Sequence, residues 1–297
     1  VTWTDVSEKE QRPRIDSWCH SVGAPLVVSA PAEPDGNVRR LQIISWNIHV
    51  GSGQVAELVD VLRRQTANAQ AEETGIVLLL QETFRAGDEV PLSFPSFITP
   101  PGRIAPKRLT PEIGRLADEL GMSVAYVPSM RNGNVFRDTD REDRGSAILS
   151  TEPLSDVTAI ELPMLKQRRV VVMATVTPRG SHVPPLRVMA THLDTLGPRG
   201  AQAKALAHYI SALPDEPPLV MGGDLNSLWG ARDITVNTLD GVMTRESCGA
   251  GPTHVLGRFD YIFSTLGDSA ARTCETLKDK YSSDHRPVVL TLRFSQG

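Results

Sequence analysis

The chain has 297 residues, 40% hydrophobic and 22% charged, as an ordinary globular protein does. A net charge of −4 argues against a protein that grips duplex DNA chiefly by neutralising phosphates, and no apolar run is long enough to cross a membrane as a helix. The three cysteines, Cys19, Cys248 and Cys274, have no zinc spacing; a Cys248–Cys274 bridge and three reduced thiols fit the sequence equally.

Residues 1–40 differ in style from the rest and are expected to form an N-terminal arm on a single domain spanning 41–297. Ser7 to Glu10 has capping-box spacing. Pro13 and Gly23 bracket a short helix carrying Ile15, Trp18 and Val22 on one side. Ser29 to Asn37, rich in Pro, Ala and Gly, is a connector. The chain starts at Val1 without a basic-then-apolar leader, from which an exported, processed protein is expected, with the cytoplasm as the alternative.

From Leu41 onward, short Val/Ile/Leu-rich runs alternate with fewer helical ones. In order, the pattern predicts a strand at Leu41–Val50, a helix over Val55–Glu73, a strand at Gly75–Thr83 and a helix over Pro111–Leu120. Strands follow at Ser123–Ser129, Gly145–Thr151, Val157–Leu162, Arg169–Thr177 and Leu186–Asp194. Next come a helix over Arg199–Leu213, with Ala201, Ala205, Tyr209 and Ala212 as its stripe, and a strand at Pro218–Asn226. Strands at Phe259–Thr265, Ala271–Leu277 and Pro287–Phe294 close the chain. Many strands with few long helices suggest two packed sheets flanked by helices. The connections at 84–110, proline-rich, and 130–143, polar with both charge signs, are long enough to be functional or mobile.

Several of these strands end on a polar side chain. Asn47 ends the first, Gln81-Glu82 the second, Thr191-His192 the run before the third helix, and Gly223-Asp224-Leu225-Asn226 the run after it. Asp224 and Asn226, two apart, share a face. Gly222 and Gly223 allow close approach of a backbone or a ligand. Asp260 opens a strand, and Ser283-Asp284-His285 precedes the last one. Singly, each has a bland explanation: a turn, a loop cap, a hydrogen-bonded structural histidine. Asn, Glu, Thr-His, Gly-Asp-x-Asn, Asp-Tyr-Ile and Ser-Asp-His in this order, each at the end of a strand, form a specific combination.

That combination resembles the endonuclease/exonuclease/phosphatase superfamily, the deoxyribonuclease I-like fold, over roughly residues 41–294. Arg144 to Ser150 also resembles the central Gly-x-Ala-Ile-Leu-Ser strand of bacterial members. The tyrosine or arginine that contacts phosphate in some members has no clear counterpart. The resemblance implies an α/β fold, a four-layered αββα sandwich of two mixed sheets flanked by helices, with the site at one end. It implies a Mg²⁺-dependent hydrolase of phosphoester, chiefly phosphodiester, bonds, of nuclease or phosphodiesterase/phosphatase type, with Mn²⁺ as substitute. Asn47, Glu82 and Asp284 would hold the metal, hard oxygen donors suiting a hard cation. Asp224 and Asn226 would polarise the attacking water or hold a second metal. His285 would contact the scissile phosphate or share in proton transfer, and Asp260 would fix its tautomer. His192 would be a hydrogen-bond donor or acid, and Arg144 a substrate contact. Gln81 and Asp194 are secondary candidates. Arg168 and Arg169 would reach phosphate or sit on a solvated edge.

Three substrate classes stay open: nucleic acid, phospholipid headgroup and small phosphoester. A monomer is expected. The alternative from another class is a binding protein that kept the fold and lost turnover, against which all six motif positions speak. A Ser-His-Asp hydrolase is set aside because no Gly-x-Ser-x-Gly elbow occurs.

Overall fold

The computed structural model describes residues 1–30, 37–68, 73–93, 95, 106–132, 141–164, 166–180, 183–195 and 199–294. Residues 96–105 of the first long connection and 133–140 of the second lie outside the described residues.

Two seven-stranded sheets stack face to face. The first contains β1 (Thr2–Asp5), β7 (Leu154–Glu161), β8 (Val170–Val176), β9 (Leu186–His192), β10 (Leu219–Asp224), β12 (Asp260–Ser264) and β11 (Thr244–Arg245), in that spatial order. The second runs β13 (Ala271–Thr276), β14 (Val288–Arg293), β3 (Val38–Asn47), β4 (Glu73–Ala86), β6 (Glu142–Ser150), β5 (Ser123–Arg131) and β2 (Leu26–Val28). Side chains alternate along each strand, so every sheet has two apolar faces to cover. The inner faces meet in one core containing Ile43, Val77 and Leu79 from the second sheet and Val172, Val188, Val220 and Ile262 from the first. α2 (Val55–Asn68) and α3 (Ile113–Leu120) cover the outer face of the second sheet; α4 (Arg199–Ser211) and α5 (Ile234–Asp240) cover that of the first. This is the expected four-layered α/β sandwich.

The helices follow from their spacing. Val55, Leu58, Val59 and Leu62 in α2, and Ile113, Leu116, Ala117 and Leu120 in α3, repeat the i, i+3, i+4, i+7 pattern of one buried face. Glu112 caps α3 by accepting from the Gly114 and Arg115 amides, and Gly121 ends it with φ +65°. In α4 the buried face is Gln202, Ala203, Leu206, Ala207 and Ile210, not the expected alanine stripe: the larger Leu206 and Ile210 bury more apolar surface and so set the helix's rotation.

The N-terminal segment differs in detail from expectation. α1 (Arg12–Cys19) buries Ile15 and Trp18, and Val22 is buried beyond it, as its pattern requires. Ser7 does not cap it; Asp5 takes both the Ser7 amide and hydroxyl, and residues 9–11 form a 3₁₀ turn. β1 pairs in parallel with β7, and β2 pairs antiparallel with β5, so this segment supplies an edge strand to each sheet. Cys248 and Cys274 are disulfide-bonded, with Cα atoms 4.3 Å apart, while Cys19 is free. Among the described residues, no helix is long and apolar enough to cross a membrane.

Near the middle of each sheet lies a parallel pair: β3 beside β4, and β9 beside β10. Parallel neighbours end together, so their carboxyl-end side chains emerge side by side. Gly222 brings the two pairs close, since a Cβ there would lie 2.7 Å from that of Ser45 on the facing sheet.

Candidate active site

Pairing register lines up the site. Asp224 lies opposite His192 on the parallel side of β10 and opposite Asp260 on its antiparallel side, forming a row across the first sheet. All three occupy the inward positions continued from Ala190, Gly222 and Ile262, so they face the second sheet where the apolar core stops. Asn47 continues the inward set of Ile43 and Ser45 from the other side, and its Nδ2 donates to Asp224 Oδ2 at 3.0 Å.

A continuous polar chain results. His285 Nδ1 lies 2.7 Å from Asp260 Oδ2, and its Nε2 lies 3.7 Å from Asp224 Oδ2. On the other side, His192 Nε2 is also 3.7 Å from Asp224 Oδ2. Asp224 Oδ1 accepts the Asn226 amide at 2.8 Å, and Asn226 Nδ2 donates to the Leu193 carbonyl at 2.9 Å. Asn226 holds φ at +50°, a conformation asparagine tolerates better than most residues. The 283–285 segment is fixed by three bonds. Ser283 Oγ donates to the Asn47 carbonyl and accepts from the His285 amide, and Trp46 Nε1 donates to the His285 carbonyl.

The protonation states follow from burial and charge. Burial opposes a charged His285, but Asp260, through its charge and hydrogen bond, and then Asp224 and Asp284 push the imidazole up to about 10. Burial, then the neighbouring Asp260, raises the Asp224 carboxyl to about 7, against the pull of His285 and Asn47. His192 goes the other way. Burial and then the charges of Arg169 and Arg144 hold it well below its ordinary value. Arg169 Nη1 lies 3.2 Å from His192 Nδ1; a guanidinium only donates, so Nδ1 accepts and the ring's single proton sits on Nε2, facing Asp224.

Glu82 is placed by an irregularity. Strict alternation after Val77, Leu79 and Gln81 would turn it outward, but the β4–β6 register shifts between Leu80 and Thr83 and Glu82 takes φ +54°. It thereby lines a small recess of about 10 Å³, room for about one water, with Ser129, Arg144, Ser146, Arg169 and His192. Among the described residues no hydrogen bond or ion pair joins Glu82 to Asn47 or Asp284. Asp284, its side chain 41% exposed, sits at the opposite rim among three imidazoles: His49 and His254 at 3.8 Å, and His285 at 4.0 Å.

Other candidates fall outside. Gln81 is buried and donates to the Leu79 carbonyl. Asp194 accepts the Lys166 and Gln167 amides, tethering that loop. Neither Arg168 nor Arg169 is a solvated edge. Arg168 is buried against Glu161 at 2.7 Å, whereas Arg169 is in the recess. Gly223 serves a backbone approach, since a Cβ there would meet the Thr191 carbonyl at 2.3 Å. His254 was not anticipated: it stacks on Phe259 at 5.0 Å and lies 4.7 Å from the His285 ring. A lone histidine in a loop carries no pattern that would reveal this. Val255 and Leu256 beside it form an exposed apolar tip, also unanticipated.

Among the described residues, two groups of side chains could offer ligand atoms to a cation, and Glu82 belongs to neither. His254, Asp284 and His285, and separately Asp224, Asp260 and His285, each bring three possible ligand atoms within 4.8 Å of one another.

The profile described as "Endonuclease/Exonuclease/phosphatase family" matches residues 44–285. Three solved structures with the same fold are an endonuclease/exonuclease/phosphatase from Beutenbergia cavernae, the catalytic domain of human Nocturnin with bound sulfate, and a mannosyl-6-phosphatase from Bacteroides thetaiotaomicron. The first is 20% identical, with 86% of this chain and 72% of that one covered and a TM-score of 0.59. The second is 15% identical, covering 92% and 98%, with a TM-score of 0.56. The third is 12% identical, covering 86% and 100%, with a TM-score of 0.52. No curated protein matches the sequence.

Proposed function

The chain belongs to the endonuclease/exonuclease/phosphatase family, and from that premise we propose that it is a divalent-metal-dependent phosphoester hydrolase. The observation that carries this reading is the buried chain His192–Asp224–His285–Asp260, closed by Asn47, where both sheets' parallel strands end.

In this reading Asp224 is the general base. A carboxylate raised to about 7 by burial accepts a water proton far more readily than an ordinary aspartate, at a pH where it is still largely ionised. Asn226 keeps it oriented through its backbone amide. His285, held as imidazolium by Asp260, donates to a phosphoryl oxygen and offsets the charge that grows there. His192 presents its Nε2–H as a neutral donor on the opposite side. Asn47, Glu82 and Asp284 would supply oxygen donors for Mg²⁺ or Mn²⁺, Glu82 from the recess side and Asp284 from the opposite rim, and the metal would polarise the phosphoryl oxygens. The catalytic unit spans residues 41–297, braced by the 1–40 segment, and acts as a monomer. The Cys248–Cys274 bridge favours an oxidising compartment and hence export.

The test is hydrolysis of bis-p-nitrophenyl phosphate with Mg²⁺ or Mn²⁺ against an EDTA control, followed by plasmid DNA, RNA, sphingomyelin and inositol phosphates. Metal-dependent release that disappears in Asp224→Ala is expected. Absence of release across that panel from pure, folded protein would favour the binding-protein alternative.

A further inference from the structure

Single exposed apolar side chains are ordinary on a protein surface, but a cluster of them beside a functional site is not. Leu228, Trp229 and Ile234 are 59%, 77% and 56% exposed, and Val255 and Leu256 are 80% and 71% exposed. The two groups come from separate segments, one running from the end of β10 into α5 and one leading into β12. They flank a single contact, in which Ser227 Oγ donates to the Arg258 carbonyl at 2.8 Å. That contact borders the site. Ser227 directly follows Asn226, and the ring of His254, next to Val255, lies 4.7 Å from that of His285.

Three features of this rim suit a lipid surface better than protein or nucleic acid. The first is the backbone, because a turn that enters an apolar medium must satisfy its own polar groups. His254 and Gly257 exchange two backbone hydrogen bonds, at 2.9 and 3.1 Å, and the Leu256 amide donates to His254 Nδ1, closing the turn that carries Val255 and Leu256. In the other segment the Gly230, Arg232 and Asp233 amides donate to the Ser227, Trp229 and Gly230 carbonyls. The second is charge. Residues 249–258 contain no acid, and the sole acid of 225–234, Asp233, is 1% exposed and paired with Arg199. Arg232 is exposed and Arg258 half-buried, so the charge beside the apolar tips complements headgroup phosphates. The third is composition. A base-stacking platform needs successive aromatic rings, whereas here one tryptophan stands among four aliphatic side chains, a mixture that inserts at a bilayer interface. A fluid bilayer also needs no cleft matched to two separate projections.

We propose that Leu228, Trp229, Ile234, Val255 and Leu256 form a docking surface for a phospholipid bilayer, which sets the mouth of the site at the level of the headgroups. The net charge of −4 gives the whole chain no long-range attraction to anionic lipid, so apolar insertion carries the binding and the two arginines add to it. Docking needs no turnover and stands apart from the hydrolase reading.

Flotation with phosphatidylcholine vesicles, with and without phosphatidylserine and at low and high salt, tests it directly. The wild type is expected to float with both, and its binding to phosphatidylcholine should survive high salt, which screens charge but not apolar insertion. Trp229→Ser and the double variant Val255→Ser/Leu256→Ser should each lose about ten-fold in partitioning. Trp3→Ser, which removes an exposed tryptophan from β1 at the opposite edge of the same sheet, should lose none. Asp224→Ala should bind vesicles as the wild type does, so a failed hydrolase reading and a failed docking surface give different results. Brominated lipid should quench the fluorescence of the wild type more than that of Trp229→Phe, a readout that does not depend on whether the serine variants fold. No flotation of the wild type, equal losses in Trp3→Ser and Trp229→Ser, or equal quenching in Trp229→Phe would overturn the proposal. A dimer that Trp229→Ser converts to monomer, or binding of oligothymidylate in place of vesicles, would overturn it too, assigning the rim to a second copy of the chain or to nucleic acid.

Discussion

Asp260→Asn keeps the volume of the side chain and an oxygen that can still accept from His285 Nδ1, but it removes a buried negative charge 2.7 Å from that ring. The shift of His285 from 6.5 to about 10 corresponds to about 5 kcal/mol of preference for the imidazolium at 1.36 kcal/mol per unit. Asp260 is the largest favourable contributor. Breaking one partner of a buried pair costs about 3–5 kcal/mol, so the two routes agree. The sign of the pH dependence is fixed. A histidine whose folded pKa exceeds its unfolded value stabilises the fold fully below about pH 6.5 and loses that contribution as pH rises through about 10. Asp260→Asn should therefore destabilise the metal-free protein by about 3–5 kcal/mol near pH 6, and the difference should shrink steadily toward pH 10. Denaturant unfolding of both proteins across that range, with the His285 ring proton followed by NMR, provides the measurement. A wild-type His285 titrating near its ordinary value, or a stability difference independent of pH, would refute the reasoning.

Asp224→Asn should reduce turnover by about 10²–10⁴-fold while raising stability at pH 8. A carboxyl raised from 3.8 to about 7 favours folding at low pH and loses that advantage between those values, leaving a buried charge that the amide removes; unchanged or lower stability at pH 8 would contradict this. His192→Gln, whose amide can accept from Arg169 and still donate, should keep at least about ten-fold more activity than His192→Ala, measured as kcat; equal losses would exclude a neutral donor role. Reducing the Cys248–Cys274 bridge, which closes a loop over a separation of 26 residues, should lower unfolding free energy by about 3.5 kcal/mol in denaturant titrations, and no change would mean the thiols are already reduced in solution.

Most of the fold was legible because buried strands need apolar runs of one length, and each of the eleven expected runs from Leu41 onward carries a strand. The ends were less so. The 55–73 helix was read too long because Asn68 to Glu73 keeps helical composition, whereas β4 already begins at Glu73. β1, β2 and β11 have two to four residues each, too few to show periodicity. The candidate residues Asn47, His192, Asp224, Asn226, Asp260 and His285, which the structure brings together, stand out in the sequence because each lies at a strand end or within three residues of one. Arg169 is ambiguous for a physical reason: an arginine beginning a strand looks the same whether it meets water or a recess built by Glu82, Ser129 and Ser146 from three other strands. His254 gave no signal at all, since its place beside His285 depends on a loop that folds back between β11 and β12.

The site is electrically polarised, and the polarity accounts for the opposite behaviour of its two inner histidines. Arg144 and Arg169 lie on one side; Asp224, Asp260 and Asp284 lie on the other. His192 stands against the arginines and is kept neutral, while His285 stands among the carboxylates and is kept charged. Similar burial thus gives one imidazole a low pKa and the other a high one, because the neighbouring charge decides the sign. If the polarity rather than any single residue sets this, exchanging it should matter more than deleting it. Arg169→Glu should then raise the His192 pKa toward or above its ordinary value and suppress turnover further than Arg169→Met does, as read by NMR titration and kcat. Equal effects of the two substitutions would mean that the arginine acts through packing alone.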